Sequence, residues 1–281
     1  MATNTREITR TTAGVPATDG DGVRMTRIIG SHELDMLDPF LLLDCFESDQ
    51  PQDYIGGFPS HPHRGFETVT YLLAGRMRHK DNAGNEGVIE PGGVQWMTAG
   101  RGIVHSEMPE QEDGLLRGFQ LWVNLPARAK MTAPAYQEFP PSRTPLERRP
   151  DGTEIRVIAG RTETGTEGAV KNPFVHPTYL DVSLPASTAF EQAVGHDDTA
   201  FVFVIEGELT VGESASPLGR RTLGIMGPGE RISVTAGSSG ARFLLIAAQP
   251  LREPVARGGP FVMNTQQEIL QAFDDYRRNR F

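Results

Sequence analysis

The feature that most constrains the fold is a long succession of short segments rich in β-branched and aromatic residues, most of them close to Gly, Pro, Asn or Asp. Residues 67–73 and 118–123 are examples from the first half of the chain, and residues 201–205 and 242–247 from the second half. Such segments favour β-strands connected by tight turns. No strand–helix alternation accompanies them, which argues against a doubly wound parallel sheet. The pattern predicts an all-β fold, either a sandwich or a barrel.

The length of the chain and one proline-rich stretch together predict two domains. At about 150 residues per domain, a chain of 281 residues is long for one domain and short for three. Residues 134–150 contain five prolines and several charged residues, a composition typical of a linker that few contacts cross. We therefore expect an N-terminal domain at residues 1–133, a linker at 134–150 and a C-terminal domain at 151–281.

One helix is signalled, close to the C-terminus of the chain. Asn264 or Thr265 can cap it, and Ile269, Phe273 and Tyr276 recur at a helical spacing. We interpret this segment as a packing helix whose basic end is solvated.

The two halves of the chain share a weak internal similarity. A strand–glycine–strand pattern occurs around Gly75 and again around Gly207, and a proline–glycine turn follows each, at residues 90–93 and 226–230. Two copies of one barrel would produce this pattern, and so would a coincidence of common turn chemistry.

Composition and charge disfavour several classes of protein. The net charge of −9 disfavours direct binding to nucleic acid or to an anionic membrane. The polar N-terminus is unlike a secretory signal, and no apolar run approaches the ~18 residues of a membrane helix. A single cysteine excludes a disulfide framework within the chain and any Cys-rich zinc site. We therefore expect a cytoplasmic protein.

The distribution of the histidines predicts a metal site. His61 and His63 are two residues apart, so on a strand their side chains point to the same face. His105 and Glu107 repeat this spacing. If the two strands are neighbours, three imidazoles and one carboxylate converge, a set that suits Fe, Mn, Ni, Cu or Zn and leaves positions open for substrate or dioxygen. An isolated H-x-H pair is more often a polar surface feature, and Glu67 competes with Glu107 for the carboxylate position.

The other histidines carry no such pattern. Each has polar, charged or proline neighbours in the sequence, and we interpret all four as solvated or structural residues. They are His32, His79, His176 and His196.

Two runs around the predicted site resemble the pirin family of the cupin superfamily. They are residues 61–71 (HPHRGFETVTY) and 95–109 (QWMTAGRGIVHSEMP). Residues 121–125, 250–254 and 259–265 are similar to the same family, and the similarity continues in order from about residue 38 to the end. The resemblance implies two tandem cupin barrels, that is, double-stranded β-helix or jelly-roll folds, with a C-terminal helix. It also implies that the N-terminal barrel alone holds metal.

The resemblance further implies the ligands. Carried over by motif, the imidazole ligands are His61, His63 and His105, and the carboxylate ligand is Glu107. The implied metal is Fe(II), with Mn, Ni, Cu and Zn as alternatives. Glu67 stands where ordinary cupins take their glutamate ligand, so in this family it is expected to contact a ligand instead of the metal.

The family implies an activity as well. Its association with quercetin 2,3-dioxygenase activity predicts that the protein opens the central ring of a flavonol-like substrate with O₂, with Glu107 as the base for the 3-hydroxyl proton. Four apolar residues are candidates for the walls of the substrate pocket, although strand aromatics mostly fill barrel cores: Phe58, Phe66, Trp96 and Met97. The alternative is a non-catalytic regulator that binds a transcription factor or a metabolic enzyme according to the oxidation state of its iron.

Overall fold

The structure, a computed structural model, describes residues 4–281, which are mostly β-strand. This part of the chain contains twenty-two strands, two 3₁₀ turns (Pro51–Asp53 and Ala127–Ala129) and one α-helix, α1 (Gln266–Arg277). The first eleven strands are β1 (Ile8–Thr12), β2 (Val15–Asp19), β3 (Val23–Ile29), β4 (Phe40–Ser48), β5 (Phe58–His63), β6 (Phe66–Ala74), β7 (Met77–Asp81), β8 (Glu86–Ile89), β9 (Val94–Thr98), β10 (Ile103–Pro109) and β11 (Leu116–Asn124). The others are β12 (Ala135–Phe139), β13 (Leu146–Arg148), β14 (Glu154–Ala159), β15 (Thr178–Leu184), β16 (Ala189–Ala193), β17 (Thr199–Val211), β18 (Ser216–Gly219), β19 (Leu223–Met226), β20 (Arg231–Ala248), β21 (Ala256–Gly258) and β22 (Phe261–Met263). The predicted all-β class is confirmed.

The chain divides into two compact units, and neither is one continuous stretch of sequence. The N-terminal barrel consists of Val15–Ser142 together with Leu251–Phe281. The C-terminal barrel consists of Arg143–Pro250 together with residues 4–14 of the described chain. The two terminal segments of the described chain, residues 4–14 and 251–281, therefore belong to the barrel that is remote from them in sequence.

This division differs from the contiguous domains 1–133 and 151–281 expected from the sequence. The change of unit falls inside the expected linker, 134–150, but that segment contains two paired strands. Strand β12 pairs with β9 in the N-terminal barrel, and β13 pairs with β14 in the C-terminal barrel. Strand β1 pairs with β19, which attaches the N-terminal segment to the C-terminal barrel. Proline content reports local composition and carries no information on such long-range pairing.

Two antiparallel sheets form the walls of the N-terminal barrel, and the two-stranded sheet β21-β22 belongs to the same unit. One has seven strands in the order β12-β9-β6-β11-β4-β3-β2, and the other has four in the order β5-β10-β7-β8. Side chains alternate between the two faces of each strand, so every second residue points between the sheets. Leu42, Asp44 and Phe46 of β4 follow this alternation and line the cavity described below, which Leu41 also reaches.

The C-terminal barrel has a different interior. Its nine strands form one sheet around a core of aliphatic and aromatic side chains, among them Leu180, Val202, Phe243 and Leu245, each with an exposed fraction of 0%. A core of this kind is close-packed and leaves few polar groups to bind a ligand.

The C-terminal segment folds onto the N-terminal barrel. The predicted helix is present as α1, and Thr265 caps it: its Oγ1 accepts from Glu268 N, and the Glu268 carboxylate accepts from Thr265 N. Ile269 is buried, and the Phe273 ring packs against Phe261 of β22 at 4.9 Å. Within residues 4–281, no helix has the length and apolar content needed to cross a membrane.

A buried lysine fastens this segment to the barrel. Lys130 is 1% exposed, and its Nζ donates to Gly65 O at 2.8 Å, Asn124 Oδ1 at 2.8 Å and Val262 O at 2.9 Å. Burial lowers the pKa of Lys130 to about 8, with Glu253 and Glu268 opposing the shift. The hydrogen bond to Val262 joins β22 to the rest of the barrel.

We expect Lys130→Met to lower the free energy of unfolding by about 3 kcal/mol, because three buried acceptors lose their donor. Denaturation in urea would measure the change. The control is Lys80→Met, which replaces an exposed lysine of β7 and should alter the free energy of unfolding by less than about 0.5 kcal/mol. Equal stability of the two variants would contradict the role given to Lys130.

Candidate metal centre

The three histidines predicted as metal ligands lie on two neighbouring strands. Strand β5 carries His61 and His63, and its antiparallel partner β10 carries His105, which the register places directly opposite His61. Each imidazole offers one nitrogen, and these three atoms lie within 4.8 Å of one another. Within residues 4–281, no other group of three His, Cys, Asp or Glu side chains is close enough to share one ion.

Backbone carbonyls orient two of the imidazoles. Pro59 O lies 2.8 Å from His61 Nδ1, and Pro260 O lies 3.3 Å from His63 Nδ1. A carbonyl can only accept, so both Nδ1 atoms donate and both Nε2 atoms keep a lone pair in the neutral ring. These two Nε2 atoms are 3.1 Å apart. Two nitrogens bound to one metal at about 2.0–2.1 Å would be about 2.9–3.4 Å apart, so the separation fits a shared ion.

The third imidazole leaves one nitrogen unsatisfied. His105 is 1% exposed, and its Nε2 is buried with no hydrogen-bond partner. A buried polar atom without a partner costs free energy, and coordination to a metal would satisfy it. Three imidazole nitrogens form a donor set that suits a divalent transition metal.

Burial also favours the neutral form of two of the imidazoles. It lowers the pKa of His63 to about 3, and the neighbouring His61 adds to the effect. Burial likewise lowers the pKa of His105 well below its usual value, and the other imidazoles around it act in the same direction. Because a metal binds the neutral imidazole, these two side chains are already in the binding form at neutral pH.

Glu107 lies beside the imidazoles. It is 3% exposed and lines the same cavity as His61 and His63. Its Oε1 accepts from Thr70 Oγ1 at 2.6 Å, which holds one carboxylate oxygen in place. The carboxylate does not belong to the group formed by the three imidazoles. The ligand role of Glu107 therefore stays a prediction.

Glu67 lies on the other side of the sheet. It is three residues before Thr70 on β6, and an odd separation along a strand puts two side chains on opposite faces. Its Oε1 accepts from Thr98 Oγ1 at 2.7 Å, and it does not line the cavity. The strand direction points Glu67 away from the imidazoles, and the expectation that it contacts a metal ligand stays a prediction.

A cavity of about 760 Å³ opens next to the imidazoles. Both sheets and the C-terminal segment supply its walls. The polar lining residues include Gln120 and an ion pair in which Arg27 donates to both oxygens of Asp44, at 2.9 and 2.8 Å. The apolar lining residues include Met25, Leu41, Leu42, Phe46, Phe58, Met77, Trp122 and Val262.

Of the four apolar residues predicted as pocket walls, Phe58 lines the cavity. Phe66 lies behind the wall, where its ring packs 4.4 Å from that of Trp122 and 5.0 Å from that of His63. Trp96 and Met97 are buried, but neither lines the cavity. They are consecutive residues of β9 and point to opposite faces of the sheet. The contact of Phe66 with the His63 ring fits a residue that supports a ligand, and the pocket roles of Trp96 and Met97 stay predictions.

Comparison with known proteins finds a matching family model for each half of the chain. The family model described as Pirin matches residues 22–123, and that of the Pirin C-terminal cupin domain matches residues 179–281. The chain belongs to the pirin family. A pirin-like protein of Caulobacter vibrioides is 55% identical over 276 residues, which cover 98% of this chain and 99% of that protein. The predicted family resemblance and the two cupin barrels are thus confirmed.

Solved structures show the same pirin fold. Quercetin 2,3-dioxygenase from Acinetobacter baumannii matches with a TM-score of 0.89 and 35% identity, over 99% of this chain and 98% of that chain. A bacterial pirin from Escherichia coli, solved in complex with nickel(II), matches with a TM-score of 0.64 and 20% identity. That match covers 84% of this chain and 95% of the other.

Two parts of this pirin site were missed in the sequence. His79 and Asp81 have the same spacing as His61 and His63, which is a local signal, although the neighbours of His79 in the sequence favour a solvated or structural residue. It is fully buried against His105. The second part is Pro260, whose carbonyl meets a histidine almost two hundred residues earlier in the chain. No local pattern could have indicated this contact.

We expect the wild-type pirin to bind one Ni(II) per chain. His63→Ala should bind it more than about a hundredfold more weakly, because loss of a residue that only hydrogen-bonds a metal ligand already lowers metal affinity about 10–100-fold. Isothermal titration calorimetry would measure both affinities. His32→Ala, which removes an exposed histidine, should bind as the wild type does. Full metal occupancy in His63→Ala would show that the ligand assignment is wrong.

The lowered pKa values of His63 and His105 give a second prediction. At pH 6, three imidazoles with the usual pKa of about 6.5 would together release more than about two protons on binding a metal. Because the pKa values of two of them lie lower, we expect the three imidazoles to release no more than about one proton per Ni(II). Calorimetric titration in buffers of different ionisation enthalpy counts the protons. Release of more than two would contradict the prediction.

Proposed function

We propose that this protein is a metal-dependent dioxygenase of the quercetin 2,3-dioxygenase type, which opens a flavonol-like aromatic substrate with O₂. The observation that carries the proposal is one cavity that combines facing imidazole nitrogens with apolar walls. The activity named for the Acinetobacter baumannii relative, at 35% identity over 99% of this chain, supports it.

We propose Fe(II) as the metal, held by His61, His63 and His105, with Glu107 as the carboxylate ligand. The nickel complex of the Escherichia coli pirin supports a divalent transition metal in this fold. Mn, Ni, Cu and Zn also accept imidazole ligands and remain alternatives. When bound, such an ion supplies a Lewis acid that orients a chelating substrate and permits its reaction with dioxygen.

The cavity suits an aromatic substrate of moderate size. Its volume of about 760 Å³ lies within the range of about 300–1,000 Å³ that is usual for small-molecule sites. Phe46 and Trp122 provide flat apolar surfaces for the rings of a flavonol. The Arg27–Asp44 pair and Gln120 supply hydrogen-bonding groups for ring hydroxyls. A polyhydroxylated aromatic compound matches this division into apolar and polar walls.

Glu107 is the group that takes the substrate proton. Thr70 donates to its Oε1 and leaves the second carboxylate oxygen for a substrate hydroxyl. The same Thr70 oxygen lies 2.7 Å from the side-chain amide of Gln120. Because its single hydrogen goes to Glu107, Thr70 links the base to Gln120 when the amide nitrogen of Gln120 donates to it. A buried carboxylate held in this way can accept the proton of a flavonol 3-hydroxyl and keep it within the site.

We expect Glu107→Gln to lower the kcat of quercetin turnover at least about a hundredfold, because an amide cannot accept the substrate proton. Oxygen uptake and carbon monoxide release by the Fe-loaded protein would measure it. The matched control is Glu110→Gln, which removes the nearby glutamate that pairs with Arg78 at the surface. This variant should keep wild-type kcat.

Two results would contradict the proposal. Wild-type activity in Glu107→Gln would remove its role as base. A wild-type protein that binds iron but shows no iron-dependent turnover of a flavonol would overturn the dioxygenase activity. That second result would favour the alternative of a non-catalytic regulator that binds a protein partner.

A further inference from the structure

The imidazole of His105 is oriented by a second imidazole, unlike those of His61 and His63. His105 Nδ1 lies 3.4 Å from His79 Nδ1 on the neighbouring strand β7. His79 Nε2 in turn lies 3.2 Å from Asp81 Oδ2. All three side chains are buried, and the ring of Tyr136 stacks on His79 with 4.9 Å between centroids. Asp81, His79 and His105 therefore form a hydrogen-bonded network of three side chains.

Asp81, the member of this network farthest from the metal site, is held by backbone and side-chain donors. Asp81 Oδ1 accepts from Ala83 N at 3.0 Å and from Asn85 N at 2.9 Å. Asp81 Oδ2 accepts from Asn85 Nδ2 at 2.9 Å as well as from His79. A carboxylate surrounded by donors acts only as an acceptor, so it defines the direction of every hydrogen bond that follows.

The direction propagates from Asp81 to the metal site. Because Asp81 accepts, His79 Nε2 carries the hydrogen, and the Nδ1 of a neutral His79 is an acceptor. His105 Nδ1 must then donate to His79 Nδ1. The hydrogen of a neutral His105 is thereby placed on Nδ1, and its Nε2 keeps the lone pair. This Nε2 is the buried atom that has no hydrogen-bond partner.

We propose that Asp81 and His79 are positioning residues that fix the tautomer and ring orientation of His105, so that its Nε2 is presented to the metal. The inference rests on the metal site of the proposed function but does not depend on the dioxygenase reaction. Among the three imidazoles, His105 is the one whose orientation comes from side chains. Its contribution to metal affinity can therefore be altered without changing any ligand.

The variant Asp81→Asn tests the inference with almost no change in shape. We expect the amide oxygen to keep the hydrogen bonds from Ala83 N and Asn85 N, which turns the amide nitrogen toward His79. An NH₂ group donates to His79 Nε2, so the hydrogen of His79 moves to Nδ1 and opposes the hydrogen on His105 Nδ1. We expect the affinity for Ni(II) to fall about 10–100-fold, the usual effect of losing a partner of a metal-binding histidine.

The matched control is Asp151→Asn in the C-terminal barrel. Asp151 Oδ1 accepts from Thr153 N at 2.9 Å, the same kind of turn contact that Asp81 makes with Ala83 N. This variant should bind Ni(II) with wild-type affinity. A loss of Ni(II) affinity equal to that of Asp81→Asn would show that the effect is not specific to the Asp81–His79–His105 network, and it would overturn the proposal.

A second measurement needs no metal. Two-dimensional ¹⁵N–¹H NMR of the metal-free wild type identifies the tautomer of each histidine, and we expect hydrogen on Nδ1 of His105 and on Nε2 of His79. In Asp81→Asn, the hydrogen of His79 should move to Nδ1. Hydrogen on Nε2 of His105 in the wild type would overturn the proposal even if the variant did not fold.

Substitution of His79 itself separates packing from hydrogen bonding. The carbonyl of Gln can accept from His105 Nδ1, whereas Leu fills a similar volume without an acceptor. We expect His79→Gln to bind Ni(II) at least about tenfold more tightly than His79→Leu, and equal affinities would contradict the proposal. The affinity measurements use Ni(II), the NMR measurement uses no metal, and none of them uses a flavonol. Failure of quercetin turnover therefore tests the proposed function separately.

Discussion

The antiparallel pairing of β5 with β10 is the constraint on which the metal site depends. It places His105 opposite His61 and brings two short sequence signals, more than forty residues apart, to one point. The desolvation of His63 and His105 has a cost, because burial disfavours their charged forms and leaves His105 Nε2 without a hydrogen-bond partner. A bound divalent metal would compensate this cost. The site is thus best understood as a set of neutral donors assembled in advance by the sheet.

The C-terminal segment completes the same site from a distance. Lys130 ties β22 to the barrel, and Pro260, directly before β22, provides the carbonyl that orients His63. Gly259, Pro260 and Val262 also line the cavity. The fold therefore uses the last thirty-one residues, 251–281, to support a metal site formed by the first half of the chain. Because the anchor is a buried cation with three acceptors, the free energy of folding and the geometry of the site are linked.

The two barrels share an architecture but have different interiors. The N-terminal barrel keeps a cavity with charged, polar and aromatic walls, whereas aliphatic and aromatic side chains fill the core of the C-terminal barrel. This contrast agrees with the distribution of histidines in the sequence, since the three that converge all lie in the first half of the chain. It also shows why a fold assignment alone does not establish where chemistry takes place.

The sequence by itself determined the fold class, the terminal helix and the three imidazoles, because each depends on a local period that the chain shows directly. Only the tertiary structure decided which face of a strand meets the cavity. Glu107 and Phe58 line the cavity, whereas Glu67 and Trp96 do not. A period of two gives the relative direction of two side chains on a strand, but not which face is inside. Three further features were likewise decided by the pairing of remote strands. They are the barrel to which each terminal segment belongs, the contact of the Pro260 carbonyl with His63, and the hydrogen bonds that connect Asp81 to His105. Pairing between remote segments arises from packing of the whole barrel and leaves no mark in local sequence.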